Sequence, residues 1–213
     1  MAREFANHCT SLRDAARADI AADRVRGASA FGSVHEAARR ALDADDAIAL
    51  GMGFIGSSAA LDPGAIHWWY RPVNHEACAP LMTGDPMLTD YYEFENTQWW
   101  QAAVDEAVHI SSPYVDVTGT NAYVLTGSLP VTLDDTFFGV AAVDVEVGKI
   151  QALWQPYLLS FAKPVSVVDD EGSVIATNSG ELLGGYVDTD ILSSDAAYHV
   201  PETPSIVVQT RQL

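Results

Sequence analysis

Lysine and cysteine are scarce in this sequence. Only Lys149 and Lys163, and only Cys9 and Cys78, occur in 213 residues. The two cysteines stand far apart with no CxxC, which excludes a disulfide framework and a cysteine zinc site. Eleven basic residues face 29 acidic ones, for a net charge of −18 and a pI near 4.3. Such a chain repels phosphate backbones, so direct nucleic-acid binding is excluded as a role. The same field attracts a cationic ligand, although it equally describes a solvated acidic surface. No apolar run reaches the roughly 18 residues of a membrane span. The start, "MAREFANHCTSLRDAARADIAADRV", carries acids and arginines throughout and is no signal peptide. Read as written, the chain is expected in the cytoplasm; an excised extracellular domain would read the same way. GxSxG, HExxH and P-loop patterns are missing. His67 and His75 are eight residues apart, which is no ligand spacing, and nothing orients His109 with Ser111 or Ser112 as a triad. No catalytic residue, metal or cofactor is expected.

What is present reads as an ordinary globular chain, 48% hydrophobic and 19% charged. Residues 10–46 have a helical pattern. Thr10 or Ser11 can cap its start, Val34, Ala37, Ala38, Ala41 and Leu42 make one stripe, and Gly27 and Gly32 imply two helices or one kinked helix. "AIALGMGFIG" (47–56) and "AIHWWYRP" (65–72) read as a hairpin around Asp62-Pro63-Gly64. Residues 73–86 read as loop, and 88–108 as a helix. Strand-like runs follow at 114–118, 122–131 and 137–147, joined by short turns that favour antiparallel pairing. A helix over 148–161 and a hairpin over 164–178 come next. The order predicts an α+β protein, with long N-terminal helices on one face of an antiparallel sheet. It divides into an N-terminal helical segment (1–46), a ligand-binding domain (47–178) and a C-terminal extension of the same domain (179–213).

Three features carry chemistry. In "FFGVAAVDVEV", alternation puts Phe138, Val140, Ala142 and Asp144 on one strand face, so an acid continues an apolar surface. A buried carboxylate requires a partner. That partner is backbone amide or water at a strand end, or a ligand cation. In "PYVDVTG", Tyr114 and Asp116 share a face by the same rule. In "NTQWWQAAVDEA", Trp99 and Trp100 point about 100° apart on a helix, so one packs the core and the other walls a site; which does which stays open. Aromatic faces and carboxylates are the parts of an amine-binding box. The same aromatics would also serve as plain core. Trp68, Tyr70, Arg71 and Tyr123, on the neighbouring strand-like runs, are candidates for the wall.

The series "YYEFENTQWWQAA…SSPYVDVTGTNAYVLTGSLPV…FFGVAAVDVEVGKIQ…PVSVVDDEGSVIAT" resembles the Cache sensor domains, extracellular relatives of PAS, over roughly residues 88–178. The resemblance implies a PAS-like sheet and a small-molecule site. In the amino-acid-binding branch, a tyrosine, an arginine, a Trp-Tyr pair, a later tyrosine and a strand aspartate form the site. Tyr92 falls at the first tyrosine, Trp99 and Trp100 at the pair, Tyr114 at the later tyrosine and Asp144 at the aspartate, which with the aromatics holds the ligand's ammonium group. The arginine that holds the carboxylate would fall at Thr97. Its loss, with Asp116 as a further acid, resembles the amine-binding branch. The expectation is a sensor for a cationic amine or quaternary ammonium ligand. It would signal through a separate protein, or through a homodimer formed by the N-terminal helices. Two other readings remain: a small enzyme using Asp116 and Asp144 as acid and base, and an interaction protein with a vestigial site. The chain differs from typical family members in showing neither a membrane anchor nor an output domain.

Overall fold

A computed structural model describes residues 2–25, 30–44, 48–61, 66–71, 79–80, 94–104, 108–117, 120–180, 185–188, 190, 197–200 and 203–210. Helix α1 spans Ala2–Ala21. It starts well before the expected cap at Thr10 or Ser11, because its buried stripe, Phe5, Cys9, Leu12 and Ala16, runs upstream of those hydroxyls. The break expected near the glycines separates α1 from α2 (Gly32–Leu42), which buries Val34, Ala38 and Leu42. Phe31 precedes α2 in the left-handed conformation and offers no capping side chain. The cap comes from α1 instead. Asp19, fully buried, accepts from Ser33 N (2.8 Å), Ser33 Oγ (2.8 Å) and Val34 N (3.4 Å), and pairs with Arg24 at 3.0 Å. An anion at the start of a helix satisfies donors that no carbonyl can reach.

The first sheet is antiparallel. Its strands are β1 (Ala49–Gly56), β2 (Ile66–Tyr70), β3 (Ala79–Pro80), β4 (His109–Ile110), β5 (Tyr114–Val115), β6 (Tyr123–Leu133) and β7 (Thr136–Glu146). The order is β3-β2-β1-β7-β6-β4, with β5 also paired to β6. One face, carrying Met52, Phe54, Leu125, Leu129, Val143 and Val145, packs under α1 and α2. Gly127 makes that contact close: a Cβ there would lie 2.5 Å from the Phe5 ring. The α+β arrangement with N-terminal helices on one face is thus the one expected.

Two expectations need correction. No long helix fills the described part of 88–108. Short turns stand there: a 3₁₀ turn at Phe94–Asn96, α3 (Gln98–Gln101) and a second 3₁₀ turn at Ala102–Val104. The aromatic pair packs onto the sheet locally and needs no helical stripe. The hairpin β8 (Val165–Asp169) and β9 (Val174–Thr177) does not join the first sheet. It follows α4 (Val147–Leu158) and pairs with β10 (Ala197–Val200) and β11 (Thr203–Thr210) in a second sheet, ordered β10-β11-β8-β9. In the chain the two sheets are separated by α4. Val165, Val167, Ile175 and Ala176 nevertheless share one core with Val145 and Ile150, so the sheets are packed together.

Candidate ligand-binding site

The second face of the first sheet carries no helix of α1 or α2. Register defines its rows. Asp144 of β7 stands opposite Gly51 of β1 and Thr126 of β6, and Gly51 stands opposite Tyr70. In the next row Ala142 lies between Gly53 and Ser128, and Trp68 faces Gly53. The glycine at 51 matters here. A Cβ on it would lie 2.7 Å from Trp68 Nε1, so the indole occupies the space beside Asp144 that any other residue would fill.

Asp144 is 4% exposed. Thr126 Oγ1 donates to its Oδ1 at 2.6 Å, and the Tyr114 hydroxyl lies 2.7 Å from the same Thr126 oxygen. Burial raises the Asp144 pKa from 3.8 to about 8, against the lowering effect of the Thr126 bond and with a smaller push from the Asp116 charge. A carboxyl shifted this far up holds its proton to a higher pH than an exposed one. A hydroxyl has one proton, so the chain can point either way. An ionised Asp144 accepts a hydrogen bond from the Thr126 hydroxyl, and Tyr114 then donates to the Thr126 oxygen. A protonated Asp144 can donate instead. Buried Asp144 and Thr126 and half-buried Tyr114 form a hydrogen-bonded chain that accommodates both states.

Above this face sit Phe94, Trp99, Trp100 and Ala103, clustered with Trp68, Ile55, Val140 and Ala142, with Tyr114 and Phe137 at the margin. Among the described residues Trp100 has three aromatic neighbours: Phe94 at 5.2 Å, Trp99 at 6.0 Å and Phe137 at 5.7 Å between centroids. Trp99 has Trp100 alone among the described rings, and its carbonyl accepts from Ser128 Oγ at 2.8 Å. Both indoles are buried, and Trp100 has more ring contacts than Trp99 among the described residues. Glu95 anchors the same turn by accepting from Ser58 N and Oγ, both at 2.9 Å.

The structure brings Trp68, Trp99, Trp100, Tyr114 and Asp144 to one face, with Tyr70 in the Asp144 row. Asp116 follows β5, and its Oδ2 accepts from Thr120 N (2.7 Å) and Thr120 Oγ1 (3.1 Å), closing its own loop. Tyr123 is 52% exposed and alternates to the opposite side of β6 from Val124 and Thr126. Its hydroxyl is held above its usual pKa by burial, then by Tyr186 and Asp169. Arg71 lies two residues after Trp69, which packs on the helix side against His35, and its Nη2 donates to Ala44 O at 3.3 Å. Tyr92 and most of the 73–86 loop lie outside the described residues. Sequence reasoning missed Thr126, Ser128 and the Gly51–Trp68 contact. Alternation with Val124 would have placed both hydroxyls on this face.

Cys9 is no reactive group; burial pushes its thiol up to about 12. Among the described residues no group of three or more His, Cys, Asp and Glu is placed to hold a metal, and no helix is long and apolar enough to cross a membrane.

Comparison with known proteins gives the fold its context. Residues 68–152 match the family model of the methyl-accepting chemotaxis protein-like first PDC sensor domain. No curated protein matches. Among solved structures, the ligand-binding domain of the Pseudomonas fluorescens chemoreceptor CtaA with L-valine superposes with a TM-score of 0.63 at 14% identity, over 98% of this chain and 88% of that one. The ligand-binding domain of the Campylobacter jejuni chemoreceptor Tlp3 with L-valine gives 0.59 at 16% identity, over 99% and 86%. The extracellular domain of the histidine-kinase candidate mmHK1S-Z3 gives 0.62 at 13%, over 97% and 88%. At these identities the likeness is one of fold.

Proposed function

The chain has the fold of a Cache-type (PDC) sensor domain, and from that premise we propose that it binds a small cationic amine or quaternary ammonium compound on the Asp144 face and signals through a partner. One observation carries the reading: a buried carboxylate at the centre of a tryptophan- and tyrosine-lined face, whose hydrogen-bond partner among the described residues is a single hydroxyl. A cation supplies what burial withholds. It would favour the ionised Asp144, while the indole faces add cation–π attraction of about 0.5–2 kcal/mol each.

An amino-acid ligand is the second reading, favoured by the L-valine in CtaA and Tlp3. It requires a base for the carboxylate. Thr97, where the resemblance puts the family's arginine, donates its hydroxyl to Phe94 O at 2.7 Å. Arg71 Nη2 donates to Ala44 O on the helix side, away from the Asp144 face, while its Nε is buried without a partner among the described residues. Both facts support a ligand without a carboxylate. An acid–base enzyme is disfavoured because the Asp116 carboxylate is held in its own loop. By analogy with the extracellular domain of mmHK1S-Z3, we place the domain outside the cytoplasm, in contrast to the plain reading of its first residues.

Thermal unfolding against tetramethylammonium, choline, ethanolamine and a set of L-amino acids tests the ligand class. A ligand at 100 times its dissociation constant adds about 2.7 kcal/mol. Midpoint shifts from the first three but not from amino acids support the reading; shifts from amino acids alone refute it.

A further inference from the structure

Among the described residues, the Glu171 carboxylate links the second sheet to the candidate site by hydrogen bonds. Glu171 sits in the β8–β9 turn, where its backbone N–H and that of Ser173 both donate to Asp169 Oδ1, at 3.0 and 2.7 Å. Asp169 is fully buried, so the turn is fixed from below. The Glu171 side chain then bridges two segments of the first sheet's site. Its Oε1 accepts from Gln98 Nε2 at 3.3 Å, and its Oε2 accepts from Ser112 Oγ at 3.2 Å. The triangle is closed because Ser112 N donates to Gln98 Oε1 at 3.2 Å. Gln98 adjoins Trp99 in α3. Ser112 belongs to the β4–β5 connection.

A continuous set of contacts leads from there to the buried carboxylate. Ser111, next to Ser112, exchanges bonds with Thr126: Ser111 N donates to Thr126 O at 2.9 Å, and Thr126 N donates to Ser111 Oγ at 3.1 Å. Thr126 in turn donates to Asp144. His109, two residues before Ser111, has its Nε2 buried without a partner among the described residues; burial lowers its pKa while the charges of Asp170 and Glu171 pull it up. The hairpin's charge thus reaches the segment that borders the site.

We propose that Glu171 is a positioning residue for the candidate site: it holds the Gln98–Trp99 turn and the Ser111–Ser112 segment in one arrangement, and it makes the second sheet responsive to the state of the Asp144 face. The inference rests on the reading of that face as the ligand site. Contiguity alone does not establish coupling, so the test must measure it.

Hydrogen exchange on the full chain, followed peptide by peptide without any ligand, does so. In Glu171→Ala, amides of 98–104 and 109–113 exchange roughly tenfold faster, while those in the centres of β6 and β7 are unchanged. Glu171→Gln, which keeps an acceptor oxygen, restores at least half of the protection. The reverse direction is the sharper check. Thr126→Val, at the far end of the path, raises exchange of amides 169–174 in the second sheet, and adding Glu171→Ala removes that response. Unchanged exchange at 98–104 in Glu171→Ala overturns the proposal. So does uniform acceleration through β6 and β7, which would make Glu171 a general stabiliser. Because no ligand enters, failure here is distinct from failure of the amine reading.

Discussion

Thr126 Oγ1 lies 2.6 Å from Asp144 Oδ1, and among the described residues this hydroxyl is the hydrogen-bond partner of that buried carboxylate. Replacing Thr126 with Val keeps the shape and removes the donor. Desolvation then acts on Asp144 unopposed, and its pKa moves above about 8. The expected loss of stability is about 1.5–3 kcal/mol at pH 9, where Asp144 is ionised, and smaller at pH 6. Urea unfolding at the two pH values measures the difference.

Asp144 sets a slope of stability with pH. Its pKa is raised in the folded protein, from 3.8 to about 8, so between those values the folded state binds more protons than the unfolded one. Stability from this group is therefore present at low pH and lost as pH rises, by up to about 1.4 kcal/mol per unit. Asp144→Asn removes the slope. The variant should be more stable than the parent near pH 8 and closer to it near pH 4, in paired melts across that range.

Trp100 and Trp99 should separate in mutation. Trp100→Ala removes contacts with Phe94, Phe137 and Trp99 and should cost about 3–5 kcal/mol. Trp99→Ala loses one described ring partner and keeps its backbone bond with Ser128, so its cost is smaller by about 1 kcal/mol or more. Binding of an active amine, followed by tryptophan emission, should suffer more in Trp99→Ala.

Asp19→Ala removes the cap of α2 and leaves Ser33 and Val34 donors unmet. A loss of about 2–4 kcal/mol is expected, with Asp19→Asn milder because its carbonyl oxygen still accepts. Chemical denaturation decides it. Arg24 moderates the effect, since it is half exposed and rehydrates easily.

The strand pattern of 122–147 was legible because apolar alternation and the Asp134-Asp135 turn both speak locally. The partner of Asp144 was not. A plain two-residue turn would put Leu133 against Thr136 and carry the register on to pair Thr126 with Val143. The shift between Val131 and Thr132 moves it by one, so Thr126 meets Asp144 instead. Gly139, at φ 145°, sits where that shift occurs; a lone glycine in a strand-like run marks such a bulge but does not say which partner the shifted register selects. The Asp19 cap was hidden for another reason. It acts across 14 residues on a helix whose own first residues look uncapped. The β8–β9 hairpin was visible, whereas its pairing with β11 is a long-range contact that local pattern does not encode.

The central claim is that a cation is recognised by the ionised form of Asp144. The most direct measurement is the midpoint shift produced by choline, whose charge does not titrate, in the parent and in Asp144→Asn at pH 7 and pH 9. The account predicts a shift in the parent that is larger at pH 9, because the carboxyl is already ionised there, and no shift in the variant at either pH. An equal shift in Asp144→Asn, or one that weakens as pH rises, would contradict it.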